Sequence, residues 1–210
     1  MIQDRTDAPH FTLIGIRIVG YLFLFITVAC QPNTLKKFEQ AKPLLQDGDI
    51  IFRNGKDAVS EAARGFNRKD KSYSHCGIIQ IENDSVFVYH AIGGVYNPSQ
   101  KLLRQTLEAF CNPEEVDKVA VYRYKLNLVQ QKFLKNIIDE YYSSGLPFDM
   151  FFNFSTDDKM YCSEFVYKSL NRAMDNTLKK HLHNLALPLY VSIDDLYLNG
   201  TAQMVTKFRF

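Results

Sequence analysis

The sequence lacks a strong excess of charge of either sign, and no segment of it forms a strongly basic block. Its 210 residues hold 25 lysines and arginines against 23 aspartates and glutamates, which gives a net charge of +2. Proteins that bind nucleic acids carry clustered basic residues, so DNA and RNA are not expected partners. Internal repeats and low-complexity tracts are also absent. The composition, 46% hydrophobic, is that of an ordinary globular protein and predicts one core of moderate size.

Long hydrophobic runs are absent except near the N-terminus. Residues 11–29 form the longest apolar run, broken only by Arg17. The uncharged segment 18–29 has the length of the hydrophobic region of a signal peptide and is short for a membrane-spanning helix. It ends in Val-Ala-Cys at 28–30, which resembles the lipobox of bacterial lipoproteins, where the cysteine becomes the lipidated first residue. Thr27 stands where that motif usually has leucine, and a retained N-terminal anchor helix is the alternative.

These features divide the chain into three parts. Residues 1–29 are expected to be a signal peptide with a lipobox-like end, and residues 30–43 to be a lipidated Cys30 with a polar tether. Residues 44–210 are expected to form the folded domain. In both alternatives the domain leaves the cytoplasm and stays tethered to a membrane. We therefore expect it in the bacterial cell envelope, facing the periplasm or the exterior.

Cysteine is scarce, and its spacing does not match a zinc site. The four cysteines are Cys30, Cys76, Cys111 and Cys162; we expect neither a metal nor another cofactor. If a lipid explains Cys30, three thiols remain in the domain. Exported disulfide frameworks prefer even numbers of cysteines, so the odd thiol suggests a reactive role. A disulfide between Cys76 and Cys111 stays open.

The rest of the sequence mixes strand-like and helix-like segments. An Asp-Gly turn at 47–48 precedes a short strand, and the other predicted strands are 76–81, 85–91, 119–124 and 202–210. Helices are predicted at 58–66, 98–110, 128–142 and from Cys162 onward. This mixture predicts a domain of the α+β class.

The strands 76–81 and 85–91 are separated by a turn and predict a hairpin. If the turn occupies 83–84, Ile79 lies opposite Val88, and His75 and His90 project from the same face as diagonal neighbours. Their backbones would lie about 7 to 8 Å apart, which longer side chains can bridge. Both faces of this hairpin are apolar, so we expect it to be covered on both sides.

Cys162 begins a helical pattern in which Val166, Leu170 and Ala173 share its side. The free N–H groups and the positive dipole end of a helix start favour a thiolate, which is the nucleophilic form of cysteine. The alternative is that Cys162 is a small buried apolar residue. We expect this helix to cover the hairpin face that carries the histidines.

Thiol catalysis of acyl transfer requires a thiolate, an imidazole that exchanges protons with it, and a group that orients the imidazole. Cys162, His75 and His90 are the candidates for these three roles, in that order. Backbone N–H groups at the helix start would hold the oxyanion. The alternative for each histidine is an ordinary surface or hydrogen-bonded residue.

A loop rich in aromatic residues, 148–154, precedes this helix. Phe148, Asp149 and Tyr161 are candidates for shaping the substrate cleft. The alternative, which we prefer for most of the phenylalanines in this loop, is that they pack in the core.

Three motifs together resemble a known family. They are Asp-Gly-Asp-Ile-Ile-Phe at 47–52, Ser-His-Cys-Gly-Ile at 74–78 and Tyr-Cys-Ser-Glu-Phe-Val at 161–166. The combination resembles the YiiX/YebB-like family, permuted relatives of the NlpC-type cell-wall cysteine peptidases. The resemblance implies a circularly permuted papain-like fold, an antiparallel sheet or partial barrel packed against the catalytic-cysteine helix. It also implies Cys162 as nucleophile and His75 as base; His90 stands where many members have glutamate.

The resemblance implies a cysteine amidase or peptidase that acts on cell-wall peptides of the peptidoglycan type through a thioester. One alternative is a lipid-directed acyltransferase or esterase, because the lecithin retinol acyltransferase group resembles the same permuted arrangement. Another is a non-catalytic module that binds wall peptides. The expected partners are thus a peptide or acyl substrate and a membrane.

Overall fold

The computed structural model describes residues 32–178 and 189–210. Residues Thr34–Phe210 form one compact unit. The predicted signal peptide at 1–29 and Cys30 lie outside the described residues, so both stay predictions. In the described part of the chain, no helix combines the length and the apolar character needed to cross a membrane.

The described residues form five α-helices and six β-strands. The helices are α1 (Pro32–Ala41), α2 (Ala58–Gly65), α3 (Leu107–Phe110), α4 (Leu128–Ser143) and α5 (Cys162–Ala173). The strands are β1 (Ile50–Gly55), β2 (His75–Glu82), β3 (Ser85–His90), β4 (Leu103–Thr106), β5 (Val116–Arg123) and β6 (Gln203–Arg209). The predicted helices at 58–66 and 128–142 and all five predicted strands are confirmed, with ends shifted by a few residues.

The strands form one sheet in the order β4-β3-β2-β1-β5-β6, and every neighbouring pair is antiparallel. β4 and β6 lie at the two edges, so the sheet is open and is not closed into a barrel. The expected α+β class with an antiparallel sheet is therefore confirmed. β1 and β2, which carry Arg53 and His75, lie at its centre.

The hairpin of β2 and β3 has the predicted register. Ile79 pairs with Val88, and the turn residues Asn83 and Asp84 have φ of 47° and 61°. Two consecutive left-handed residues give the tight hairpin turn whose twist matches the flanking strands. This register fixes His75 and His90 on one face, as expected.

Both faces of the hairpin are buried, as predicted, but α5 covers the other face from the one we expected. Cys76 and Val166 of α5 belong to one core cluster. Ile79, on the histidine face, packs with Phe110 of α3 in a second cluster. The expectation that the Cys162 helix covers the histidine face is therefore wrong. Both faces are apolar, so the sequence pattern could not choose between them.

The segment 98–110 is not the predicted helix. Its residues Leu103–Thr106 form β4 along β3, and only Leu107–Phe110 are helical. The side chain of Thr106 accepts a hydrogen bond from the backbone N–H of Ala109, which starts α3 at that point. Pairing with β3 thus outweighs the local helical tendency of this segment.

The expected tether is partly folded. Its residues Pro32–Ala41 form α1, and Phe38 is buried with its ring 6.0 Å from Phe208 and 5.7 Å from Phe210. Burying an aromatic ring of this size contributes on the order of 2 kcal/mol. This part of the segment therefore packs on the domain.

Candidate active site

The first turn of α5 is anchored on both sides. Tyr161 precedes the helix in an extended conformation, and its backbone N–H donates to Glu164 Oε2 at 3.3 Å. The Tyr161 hydroxyl accepts a hydrogen bond from the N–H of Val191 at 2.9 Å, and Ser163 Oγ donates to the carbonyl of Val191 at 2.8 Å. Tyr161 is buried, so its main described role is to fix the position of Cys162.

Cys162 lies beside the start of β2, where its thiol faces the thiol of Cys76. That contact, together with the backbone N–H groups of Ser163 and Cys76, holds the pKa of Cys162 below its usual value, although burial opposes the shift. Burial, followed by the contact with Cys162, raises the pKa of Cys76 well above its usual value. Of the two thiols, Cys76 therefore holds its proton more firmly and Cys162 is the one that loses its proton more readily.

The thiols of Cys76, Cys111 and Cys162 are free. Cys76 and Cys111 belong to different core clusters on opposite faces of the sheet. The disulfide between Cys76 and Cys111 that the sequence left open is therefore absent. Cys162 is partly exposed, whereas the other two are fully buried, so only Cys162 combines access with a favoured thiolate.

The two histidines form a hydrogen-bonded chain that ends on Gln105. His75 Nε2 lies 2.8 Å from His90 Nδ1, and His90 Nε2 lies 3.0 Å from Gln105 Oε1. A carboxamide oxygen only accepts, so His90 is assigned a proton on Nε2 and a free lone pair on Nδ1. His75 then donates from Nε2, which leaves its Nδ1 unprotonated. This series of hydrogen bonds thus selects the His75 tautomer whose Nδ1 can accept a proton.

Both imidazoles are neutral near pH 7. Burial, then the positive charge of Arg53 and finally the His90 ring, hold the pKa of His75 well below its usual value. Burial and Arg53 lower the pKa of His90 to about 3, with Gln105 opposing the shift. The ring of Phe110 lies 5.8 Å from His75 and 5.1 Å from His90 and supplies part of the apolar surroundings.

Gly77 is required where the two histidine strands approach most closely. A Cβ atom at this position would lie 2.6 Å from Val88 Cγ1, 2.8 Å from the carbonyl oxygen of Tyr89 and 3.0 Å from His90 Cβ. Any larger residue would push β3 away and separate the imidazoles. The glycine of the Ser-His-Cys-Gly-Ile motif therefore has a packing role that sequence reasoning did not identify.

Arg53, Gln105 and Cys76 are site residues that the sequence analysis missed. Arg53 is the register partner of His75 on β1, and its guanidinium lies 4.6 Å from the centre of the Phe110 ring. Gln105 reaches His90 from β4. Cys76 follows His75 directly in the sequence. Arg53 on β1 and Gln105 on β4 become neighbours of the histidines only through the order of the strands in the sheet.

Asp149 organises the loop before α5. It is completely buried, and its carboxylate accepts hydrogen bonds from the backbone N–H groups of Phe151 at 2.9 Å and Asn153 at 2.6 Å. Its Oδ1 also lies 3.7 Å from Lys159 Nζ. Asp149 therefore shapes the loop from within, and any contact of it with substrate stays a prediction.

The aromatic residues of this loop are only partly in the core. Phe148 is half-buried, but Phe151 is 83% and Phe152 46% exposed. The core interpretation is therefore wrong for the latter two. The ring of Phe152 stacks on Phe66 at 5.8 Å and lies 5.3 Å from Tyr161. The partly exposed ring of Phe152 thus lies against Tyr161, the residue that precedes Cys162.

The residues described contain no group of three or more His, Cys, Asp or Glu side chains arranged to hold a metal ion. A model of the "permuted papain-like amidase enzyme, YaeF/YiiX, C92 family" matches residues 44–189. The chain belongs to this family. The expected permuted papain-like fold is thereby confirmed, and the family is described as one of amidases.

Two known proteins are similar to this chain. The "Uncharacterized protein YiiX" of Escherichia coli (strain K12) is 34% identical over 132 residues, which are 61% of this chain and 59% of that protein. The match thus spans less than two thirds of the relative. The crystal structure of "metalloprotein yiiX" from Escherichia coli O157:H7 superposes with a TM-score of 0.59 at 24% identity. The superposition covers 79% of this chain and 98% of the chain in the crystal structure, and the two have the same fold.

Proposed function

We propose that the protein is a cysteine amidase or peptidase of the cell envelope that cleaves peptidoglycan-type peptides through a thioester on Cys162. The observation that carries the proposal is the chain from His75 through His90 to Gln105, which leaves His75 Nδ1 free as a proton acceptor. The thiol of Cys162 contacts Cys76, the next residue along β2. Nucleophile and base therefore share one end of this strand.

The first half-reaction forms the thioester. The sulfur of Cys162 bonds to the carbonyl carbon of the scissile amide as the proton of its thiol passes to His75 Nδ1. The backbone N–H of Cys162 donates a hydrogen bond to the resulting oxyanion. In enzymes from which one such donor has been removed, the loss is about 3 to 4 kcal/mol. The carbon–nitrogen bond then breaks, and His75 returns a proton to the leaving amine. This step requires Cys162 Sγ and His75 Nδ1 to come into contact when substrate is bound.

The second half-reaction uses the same base. His75 Nδ1 takes a proton from water, the hydroxide oxygen bonds to the thioester carbon, and the carbon–sulfur bond breaks. The proton returns to the sulfur, so the enzyme is regenerated.

The environment of His75 favours rapid release of a proton. Because Arg53 and burial disfavour an imidazolium, a proton on His75 is passed on readily to the leaving group. Cys76 and backbone N–H groups stabilise the thiolate that Cys162 forms when its proton passes to His75. His90 orients His75 through a neutral hydrogen bond and supplies no negative charge.

The metal in the name of the Escherichia coli O157:H7 protein does not fit this site. Both nitrogens of His90 and Nε2 of His75 are used in hydrogen bonds. The described residues also offer no metal-ligand cluster around them. No step of the proposed reaction passes through a metal.

A lipid-directed acyltransferase or esterase is the second candidate. The exposed rings of Phe66 and Phe152, next to Tyr161, favour it because they offer an apolar surface close to Cys162. A tether at Cys30 would also hold the domain beside acyl chains.

The test is to incubate the purified full-length chain with peptides released from cell walls, and separately with short-chain esters. Mass spectrometry of the products identifies any cleaved bond. We expect cleavage of the peptides by the wild type and none by Cys162→Ala or His75→Ala. Turnover of esters alone would support the lipid enzyme, whereas binding of peptides without cleavage would leave a binding module.

A further inference from the structure

Arg53 places a positive charge beside the histidine pair without a carboxylate partner. Its Nη1 donates to the carbonyl of Phe110 at 2.8 Å, and its guanidinium lies 4.6 Å from the centre of the ring of that residue. No ion pair joins Arg53 to a described Asp or Glu. Its Nε and Nη2 groups have no hydrogen-bond acceptor among the described residues.

Two other arginines on the same sheet have the carboxylate partner that Arg53 lacks. Arg104 on β4 pairs with Glu82, and Arg123 on β5 pairs with the fully buried Asp49 at 2.6 Å. Guanidinium groups that are partly removed from water are normally paired in this way, because the loss of hydration has to be offset. Arg53 is half-buried, and burial lowers its pKa without the compensation that the other two receive.

The acidic groups that face Arg53 do not neutralise it. Asp57 and Glu115 act on it only from beyond ion-pair distance. The Asp57 carboxylate accepts hydrogen bonds from the N–H and Oγ of Ser60 at 2.9 and 2.8 Å, and Glu115 is exposed to solvent. The thiols of Cys111 and Cys162 also lie near Arg53, and their anionic forms would favour the charged guanidinium.

We propose that Arg53 binds a carboxylate of the substrate, so that the preferred substrates are acidic peptides with a carboxylate close to the scissile amide. The planar fork of a guanidinium matches a carboxylate, and the free Nε–H and Nη2–H form one edge of that fork. Arg53 is the register partner of His75 on β1, and its charge acts on His75 and interacts with Cys162. The inference rests on the proposed role of Cys162 and adds the chemical class of the substrate.

Anionic and neutral alkylating agents of similar size test the inference without knowledge of the substrate. The rate of Cys162 alkylation is measured with iodoacetate and with iodoacetamide on the full-length chain at low ionic strength, and the ratio of the two rates is compared between variants. Arg53→Gln removes the charge and the fork, and Arg53→Lys keeps the charge alone. Lys132→Gln, at an exposed position on α4, is the control for the loss of one positive charge.

We expect the ratio of the iodoacetate rate to the iodoacetamide rate to fall about fivefold in Arg53→Gln. It should stay near the wild-type value in Lys132→Gln and change less in Arg53→Lys than in Arg53→Gln. Added salt should lower the ratio in the wild type and much less in Arg53→Gln. Arg53→Lys and the salt series keep the test decisive if Arg53→Gln unfolds.

An unchanged ratio in Arg53→Gln, or an equal fall in Lys132→Gln, would overturn the role of Arg53. A wild-type ratio that does not respond to salt would also overturn it. If alkylation of the wild type showed no preference for Cys162 over Cys76 and Cys111, the nucleophile itself would be wrong. The identity of the alkylated cysteine therefore tests the proposed function, and the ratio tests the inference.

Discussion

The neutral histidine chain makes a quantitative prediction about acid stability. The pKa of His90 falls from 6.5 to about 3 on folding, so between these values the unfolded chain binds a proton that the folded chain excludes. The stability due to neutral His90 is therefore complete above pH 6.5 and is lost as the pH falls towards 3. At pH 4 the unfolded histidine lies 2.5 pH units below its pKa (6.5 minus 4), which corresponds to about 3 kcal/mol at 1.36 kcal/mol per unit.

The assay is urea unfolding of the wild type and His90→Gln at pH 8 and pH 4, followed by circular dichroism. Glutamine keeps hydrogen-bonding capacity but does not titrate. We expect the free energy of unfolding to fall by about 3 kcal/mol more in the wild type than in the variant between the two pH values. The comparison cancels the carboxylates that both proteins share and the packing cost of the substitution. Equal losses in both proteins would refute the neutral, buried state of His90.

Two further substitutions test the surroundings of the site. Cys76→Val removes the S–H donor at similar volume, so the pKa of Cys162 should rise and its alkylation by iodoacetamide at pH 7 should slow about tenfold; a pH–rate profile unchanged from the wild type would contradict the contact. Gly77→Ala should destabilise the fold by about 1 to 3 kcal/mol in thermal or urea unfolding, because its Cβ would overlap Val88 and the neighbouring backbone. Gly65→Ala, in a helix with open space around it, is the control and should be neutral or slightly stabilising.

The sequence predicts the local features of the fold well. The Asp-Gly at 47–48 marks the turn before β1, and the turn at 83–84 fixes the register that unites His75 and His90. The helix from Cys162 follows from the spacing of its apolar residues. Each of these features depends on residues close together in the chain, which is why patterning alone identifies them.

The errors concern contacts between distant segments. The strand Leu103–Thr106 exists because β3 offers it a hydrogen-bonded edge, which no local pattern in 98–110 records. The face covered by α5 could not be predicted because Ile78 and Ile79 are equally buried on opposite sides of β2. Arg53 and Gln105 enter the site only through the order of the strands. The site was therefore predictable to the extent that one hairpin and one helix start define it.

The most direct test of the account is mass spectrometry of the full-length chain, quenched in acid during incubation with a cleavable wall peptide. We predict an adduct with the mass of the acyl half of the peptide, mapped to Cys162 and absent in Cys162→Ala, which should also lose cleavage. Cleavage that continues in Cys162→Ala, with no adduct on the wild type, would contradict the central claim that Cys162 is the nucleophile.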